Sequence, residues 1–364
     1  MREGKPKYLE VVEWVKQQID TGKLKAGNKI PSENALSNQF GLSRQTVRHA
    51  ISVLENDEIV YSLRGSGTYI SKQADDWNNN RNTIVIMMTY VDGYIFPRTI
   101  KGLEDKLFGK GYSVQIAFTN NRIDRERIIL EDILRKDNVA GIIAECTKSG
   151  LPNPDIGLYK QIMERKIPLL FMNSFYDKLD APHISINDHK AGYIATKTLL
   201  EKGHTKLAGM FKLDDGQGRL RYAGFVDAIN EKGIPWYDDS IIWYETWDTK
   251  QLWRMKTKIL ERIKGCTGIV TYNDEIAFEL LKFLNEEGIR VPEDISIVSI
   301  DDSELAVLGD VKISSVPYPM EKLGRKAAEI MLQMIQDRKF DGNYEFDVWV
   351  NERDSVKDLN NPLT

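Results

Sequence analysis

A chain of 364 residues, 41% of them hydrophobic, can fill complete cores but is too long for one small module, which predicts two or three domains. Its two cysteines, Cys146 and Cys266, stand far apart and no apolar run approaches about twenty residues, which argues against a disulfide framework, secretion and membrane spanning and for a cytoplasmic setting. The net charge of −4 is uneven: residues 1–72 hold 11 Lys+Arg against 8 Asp+Glu and the remainder 39 against 46, a slightly basic head on an acidic body.

In chain order, Tyr8, Val11, Val12, Val15 and Ile19 recur at helical spacing and give a first helix its apolar stripe. Lys7, just before it, suits a phosphate contact or a free arm. Pro31 and Ser32 open a second helix that runs to Phe40, and Gly41 breaks it. Ser43 caps a third helix with apolar positions at Val47, Ala50, Ile51 and Leu54. That helix begins with Ser43, Arg44, Gln45, Thr46 and Arg48, donors of the kind that reach base edges and phosphates in a major groove. Glu33 suits either of two roles, capping its helix or accepting from a cytosine amino group, and His49 reads as peripheral. Glu58 to Ser71 alternates around Arg64-Gly-Ser-Gly, a hairpin with a cation at Arg64 and a glycine tip at Gly65. Three helices and a wing predict a winged helix-turn-helix domain over 1–72 that binds DNA. Reading Arg44 and Arg48 as ordinary solvated charges leaves the capped turn and the wing without a reason.

The polar, period-free run 73–82 reads as a linker. From 83 to 364 strands and helices alternate. Strands are expected at Thr83–Thr89, Tyr112–Phe118 and at the apolar runs that begin with Ala140, Ile167, Lys206, Gly268 and Ile295. Helices are expected over Pro97–Gly111 and, after the strand Tyr112–Phe118, through Asp137. Repeated β–α units imply parallel sheets covered by helices on both faces, and this length implies two lobes with a ligand cleft between them. Ligands in such sheets bind beyond the carboxyl ends of the strands. The residues there are Tyr94, Phe96, Glu145, Asn173, Gln217, Arg219, Arg221, Asn273, Asp274, Asp301 and Asp302. Carboxylates, amides, arginine and aromatics together suit a neutral polyhydroxylated ligand.

The head resembles the DNA-binding domain of GntR-type bacterial regulators in Lys29-Ile-Pro-Ser-Glu, Leu42-Ser-Arg-Gln-Thr-Val-Arg-His-Ala-Ile and Gly65-Ser-Gly-Thr-Tyr. It departs from them at Asp57-Glu58, where that family has a glycine near the helix end. The body resembles the sugar-binding domain of LacI/GalR-type repressors and periplasmic binding proteins. The marks are Gly203-His204, Arg219-Leu-Arg-Tyr-Ala-Gly-Phe, Tyr272-Asn-Asp-Glu-Ile-Ala, Val291-Pro-Glu-Asp-Ile-Ser-Ile-Val and Asp301-Asp-Ser. Ser299-Ile300 stands where that family often has Gly-Tyr. The resemblance implies effector contacts from Arg221, Asn273, Asp274 and Asp301.

The pairing of these two halves, with Thr89-Tyr-Val-Asp-Gly-Tyr-Ile-Phe-Pro, Glu145-Cys-Thr-Lys-Ser and Asp214-Asp-Gly-Gln-Gly, resembles arabinose-responsive repressors. It implies that Tyr94, Phe96, Glu145 and Gln217 also line the cleft and that L-arabinose is the effector. It further implies a homodimer held by the bodies, on a palindromic operator from which the sugar releases it. The linker shows no apolar hinge helix of the LacI type.

Competing readings remain at single residues. Arg221 and Asp301 also suit a structural ion pair, Asp274 and Glu145 also suit helix caps, and Trp247 reads as packing. The run from Asn351 onward reads as a frayed tail. His183 and His189, with Asp188 adjacent, make a weak metal pattern, and no metal or cofactor is expected. No Gly-x-x-x-x-Gly-Lys-Ser/Thr loop, Gly-x-Ser-x-Gly elbow or His-Glu-x-x-His occurs, so an enzyme is not expected. The rivals are a sugar-transforming cytoplasmic enzyme, a free-standing sugar-binding protein, and a repressor of the same build with a different effector that acts as corepressor.

Overall fold

The computed structural model describes residues 6–20, 23–63, 65–71, 81–91 and 94–361, in two compact units, Met1–Asn82 and Thr83–Thr364. Arg64, Lys72 and most of the expected linker, 73–80, lie outside the described residues.

In the first unit, α1 (Tyr8–Asp20), α2 (Glu33–Phe40) and α3 (Arg44–Asn56) close over one core of Val11, Val15, Leu36, Val47, Ala50 and Leu54. The local reasons are those the sequence offers. The Ser32 and Ser43 side chains accept from the Ala35 and Thr46 backbone N–H groups, and Gly41 ends α2 at φ 64. At the end of α3 the left-handed turn falls on Glu58, at φ 57, where the resembled family has glycine. Strands β1 (Val60–Leu63) and β2 (Gly67–Ile70) then pair antiparallel as the wing, and Lys29 bridges to Tyr69 on its edge.

The second unit opens with β3 (Thr83–Met88), α4 (Phe96–Leu107), β4 (Ser113–Phe118), α5 (Ile123–Arg135) and β5 (Val139–Glu145). Next come α6 (Ile156–Glu164), β6 (Leu169–Met172), β7 (His183–Ile186) and α7 (Asp188–Glu201). Then β8 (Leu207–Lys212), α8 (Gly216–Lys232), β9 (Ile241–Tyr244), a 3-10 segment over Thr246–Met255 and α9 (Lys256–Ile263) follow. The chain finishes through β10 (Gly268–Thr271), α10 (Asp274–Glu286), β11 (Ser296–Asp301), α11 (Leu305–Leu308), β12 (Ser314–Pro317), α12 (Met320–Gln336) and β13 (Tyr344–Phe346).

The strands make two parallel sheets, in the orders β13-β7-β6-β5-β3-β4 and β12-β11-β10-β8-β9. Each is the core of one lobe, since β3, β5, β6, β10 and β11 are buried along their whole length and helices cover both faces. The chain passes between the lobes three times: after β7, between β12 and α12, and after β13. All strand carboxyl ends of both lobes therefore face the region where the crossings gather.

Two expectations are corrected here. Among the described residues, the stretch 351–361 does not fray: it straps the second sheet. Asn351 bridges Ser315, the Ser355 hydroxyl donates to the Ile297 carbonyl at 2.6 Å, and the Leu359 N–H donates to the Lys202 carbonyl at 2.8 Å. Trp247 does not pack, being 70% exposed.

Candidate functional site

On the first unit, the opening turn of α3 presents Arg44, Gln45 and Arg48 to solvent. Ser43 and Thr46 are occupied with one another: the Ser43 Oγ accepts from the Thr46 N–H at 3.1 Å and lies 2.8 Å from its hydroxyl. The cap on α2 is Ser32, not Glu33. The Glu33 carboxylate instead takes two hydrogen bonds from Arg48, from Nε at 3.2 Å and Nη2 at 2.9 Å. This fork holds the Glu33 carboxyl below its usual range, chiefly through the hydrogen bonds from Arg48. His49 packs edge-on against Tyr8, centroids 4.5 Å apart, so it turns toward α1. Lys7 is exposed just before α1, and Gly65 turns the wing tip at φ 78.

In the second unit, Tyr94, Phe96, Glu145, Asn173, Gln217, Arg221, Asn273 and Asp301 line one cavity of about 110 Å³ at the strand ends. At its centre is Arg221, a fully buried guanidinium. Its Nε donates to Asp188 Oδ1 at 2.8 Å, its Nη1 donates to the Tyr272 carbonyl at 2.5 Å, and its Nη2 lies 3.5 Å from Asp301 Oδ1. It also lies over the Tyr272 ring, 4.7 Å from the centroid. Burial works against its charge, but Asp188 and Asp301 outweigh burial and raise its pKa. Burial in turn pushes the Asp301 carboxyl up to about 7, even with Arg221 drawing it down.

Each lobe supplies part of the wall. From the first lobe, Glu145 Oε2 accepts from the Thr89 N–H at 2.8 Å and hydroxyl at 2.7 Å, and Oε1 accepts from Asn173 Nδ2 at 2.5 Å. Glu145 is thus a strand-end acceptor, not a helix cap, and burial raises its pKa. The Tyr318 hydroxyl donates to the Asn173 side-chain oxygen. Across the lobes, the Tyr94 hydroxyl donates to Asp301 Oδ2 at 2.5 Å and Asn121 Nδ2 donates to Thr246 Oγ1 at 2.9 Å. Tyr94, Asn173 and Asp301 all hold positive φ, at 54, 71 and 105, a backbone conformation that marks sites held by their surroundings.

Asp274 is not in the wall. The cap on α10 is Asn273, whose side chain accepts from the Ile276 N–H, so Asp274 is not the cap either. Its carboxylate accepts from the Ser315 hydroxyl and the Ser303 N–H, both at 2.6 Å, joining β12 to the loop after β11. Burial pushes it up to about 6. Arg219 donates to the Gly150 carbonyl at 3.2 Å, and Asp302 pairs with Arg353 at 2.5 Å.

Residue-by-residue reading missed Lys148, Asp214, Asp215 and Tyr318, which line the cavity, and Asp188, which holds Arg221. Asp214 and Asp215 lie in the loop after β8 and were legible by the strand-end rule. Asp188 follows β7, four residues long, whose signal is too short to read as a strand. Among the described residues no group of three or more His, Cys, Asp or Glu is placed to hold a metal, and Cys146 and Cys266 are free thiols. Among them, too, no helix is long and apolar enough to cross a membrane.

Residues 7–70 match the bacterial regulatory proteins, gntR family, and residues 196–356 match the periplasmic binding protein-like domain. In three dimensions the chain is similar to the transcription regulator CcpA of Lactococcus lactis, with a TM-score of 0.68, 22% identity, and 76% of this chain and 99% of that one covered. It is similar also to the lac repressor dimer bound to operator, with a TM-score of 0.66, 18% identity, and coverage of 79% and 99%. At those identities the likeness shows the fold. A gntR-family head joined to a two-lobed binding body defines the class, a bacterial transcriptional regulator.

In sequence the chain is 37% identical over 340 residues to the arabinose metabolism transcriptional repressor of Geobacillus stearothermophilus, covering 92% of this chain and 93% of the relative. It is 38% identical over 346 residues to the repressor of the same description from Halalkalibacterium halodurans, covering 92% of each. The chain belongs to the family of arabinose metabolism transcriptional repressors. It is a regulator and not an enzyme.

Proposed function

We propose that this repressor binds a palindromic operator as a homodimer and that L-arabinose, held in the cleft of each body, releases it. The reading assigns 1–72 to DNA, 73–82 to the linker and 83–364 to effector binding and dimerisation, in the cytoplasm. The observation that carries the effector half is the buried Arg221 with Asp188 and Asp301. Arginine and carboxylate forks beside amides and aromatic faces match vicinal hydroxyls and C–H surface on a small neutral ring. The relatives named above supply the sugar.

The DNA half rests on Arg44, Gln45 and Arg48 at the exposed start of α3, and the sequence adds Lys7, Glu33, Ser43, Thr46, Arg64 and Gly65. A dimer is supported by the open edge of the six-stranded sheet. There β4 exposes Val114 and Ile116, and Phe108 at the end of α4 is 79% exposed. An isologous interface between two copies covers such an edge.

Calorimetry against L-arabinose and a panel of other pentoses and hexoses tests the effector. Saturable binding to L-arabinose is expected, and its loss in Arg221→Ala or Asp301→Ala with operator binding retained. Removing one member of a buried charged set leaves its partners unpaired, roughly 2–5 kcal/mol. Wild-type affinity in both variants places the site elsewhere, and tighter binding of another sugar replaces the effector.

A further inference from the structure

Against the effector cavity lies a second and far larger one, about 1050 Å³ to the first one's 110 Å³. The two abut at Ser149, Asn173, Ser174 and Gln217, which line both. The larger groove has an aromatic pair on each lobe. On the first lobe Phe175 stacks on His183, centroids 4.3 Å apart at 28°. On the second, Tyr222 and Trp243 lie 4.9 Å apart. All four are half-buried and line the groove, so they offer ring faces and edges to an occupant.

Between the pairs run polar groups. Asn187 Nδ2 donates to Glu345 Oε2 at 3.1 Å, and Asp188 lines the groove while holding Arg221 and accepting from Gln217 Nε2 at 3.2 and 3.1 Å. Lys178 and Arg219 are balanced by Asp177, Asp188 and Glu345, so the charges favour no anion. Apolar ring surface beside hydrogen-bonding edges whose charges are balanced suits a pyranose or furanose ring.

Resting on the effector reading above, we propose that this groove is a second sugar subsite and that the repressor also binds short arabino-oligosaccharides. One unit occupies the small cavity at Arg221, and the next, joined through its glycosidic oxygen, extends past Gln217 between the aromatic pairs. Because Asp188 and Gln217 stand between the two places, the second unit bears directly on the residues that hold Arg221.

Calorimetry on the full chain with L-arabinose and with arabinobiose tests this. Arabinobiose is expected to bind about tenfold tighter than arabinose. Phe175→Ala, which removes one wall, and Leu151→Trp, which fills the groove from a half-exposed position, are each expected to erase that advantage. Both variants are expected to keep arabinose affinity within about twofold, which also reports that they fold. Arabinobiose binding no tighter than arabinose in the unaltered chain overturns the subsite, whatever the variants do. So does a variant that weakens both sugars alike. If arabinose itself does not bind while another monosaccharide does, the effector assignment has failed, and this subsite with it.

Discussion

Arg221 is surrounded by more buried acid than it neutralises. Asp188 and Asp301 both face it and Asp274 lies close behind, each with its pKa raised by burial. This has a pH consequence. An unfolded aspartate loses its proton near 4, whereas native Asp301 keeps one to about 7. The folded state therefore binds more protons in that window. The contribution is fully present below about pH 4 and is lost as pH rises through about 7. Asp301→Asn keeps the shape without the charge, so its melting temperature should fall less between pH 5 and pH 8 than that of the unaltered chain. Equal falls in both, followed by calorimetry, would show that the Asp301 proton is not linked to folding.

Arg48 is the corresponding residue on the head, exposed and held by the Glu33 fork. Arg48→Ala should weaken operator binding roughly ten- to hundredfold, with a shallower salt dependence if its contact is to phosphate. Unchanged affinity and salt slope in a folded Arg48→Ala variant would remove α3 as the reading helix. Sequence alone put Arg48 on the exposed early part of α3 because Ser43 and Gly41 fix that turn locally. It did not find the Glu33 pairing, which depends on how α2 packs on α3.

Among the elements, the helices α7 and α8 approach so closely that side chains are excluded between them. A Cβ on Gly192 would stand 2.0 Å from the Arg221 carbonyl, and one on Gly224 would stand 1.9 Å from the His189 carbonyl. This contact sets Asp188, the first residue of α7, against Arg221 within α8. Gly192→Ala or Gly224→Ala should force the helices apart at a cost of roughly 1–3 kcal/mol, and should loosen the Arg221–Asp188 bond. Thermal melts and sugar titrations check both effects together; a melt unchanged by either substitution contradicts the packing argument. Gly224 belongs to the Arg219-Leu-Arg-Tyr-Ala-Gly-Phe run, but the close approach is not legible there, since neither glycine sits in a turn and neither holds a positive φ.

The long buried strands were legible because apolar runs such as Thr83–Met88 are bounded by polar turns. The strands that escaped notice are β7, β9, β12 and β13, three or four residues each. Three of them adjoin a crossing between lobes, which is why Asp188 and Tyr318 beside them escaped as well. The tail departs from expectation for a related reason. Its polar residues read as solvated, but Asn351, Arg353 and Ser355 spend their hydrogen bonds on the edge and underside of the second sheet.

For the whole molecule, one chain joins a DNA-reading head to a sugar cleft, and a sugar acts on DNA binding only through its differential affinity for two states of the body. Linkage then requires operator to weaken sugar binding by the same factor by which sugar weakens operator binding. Such couplings are typically ~5–150-fold. The most direct measurement is operator affinity of the full chain with and without saturating L-arabinose, on an operator selected from random duplex DNA. The account predicts weaker operator binding by a factor in that range when the sugar is present. Tighter binding would make the sugar a corepressor, and equal binding would show that the cleft and the head are not coupled through L-arabinose; either result contradicts the account.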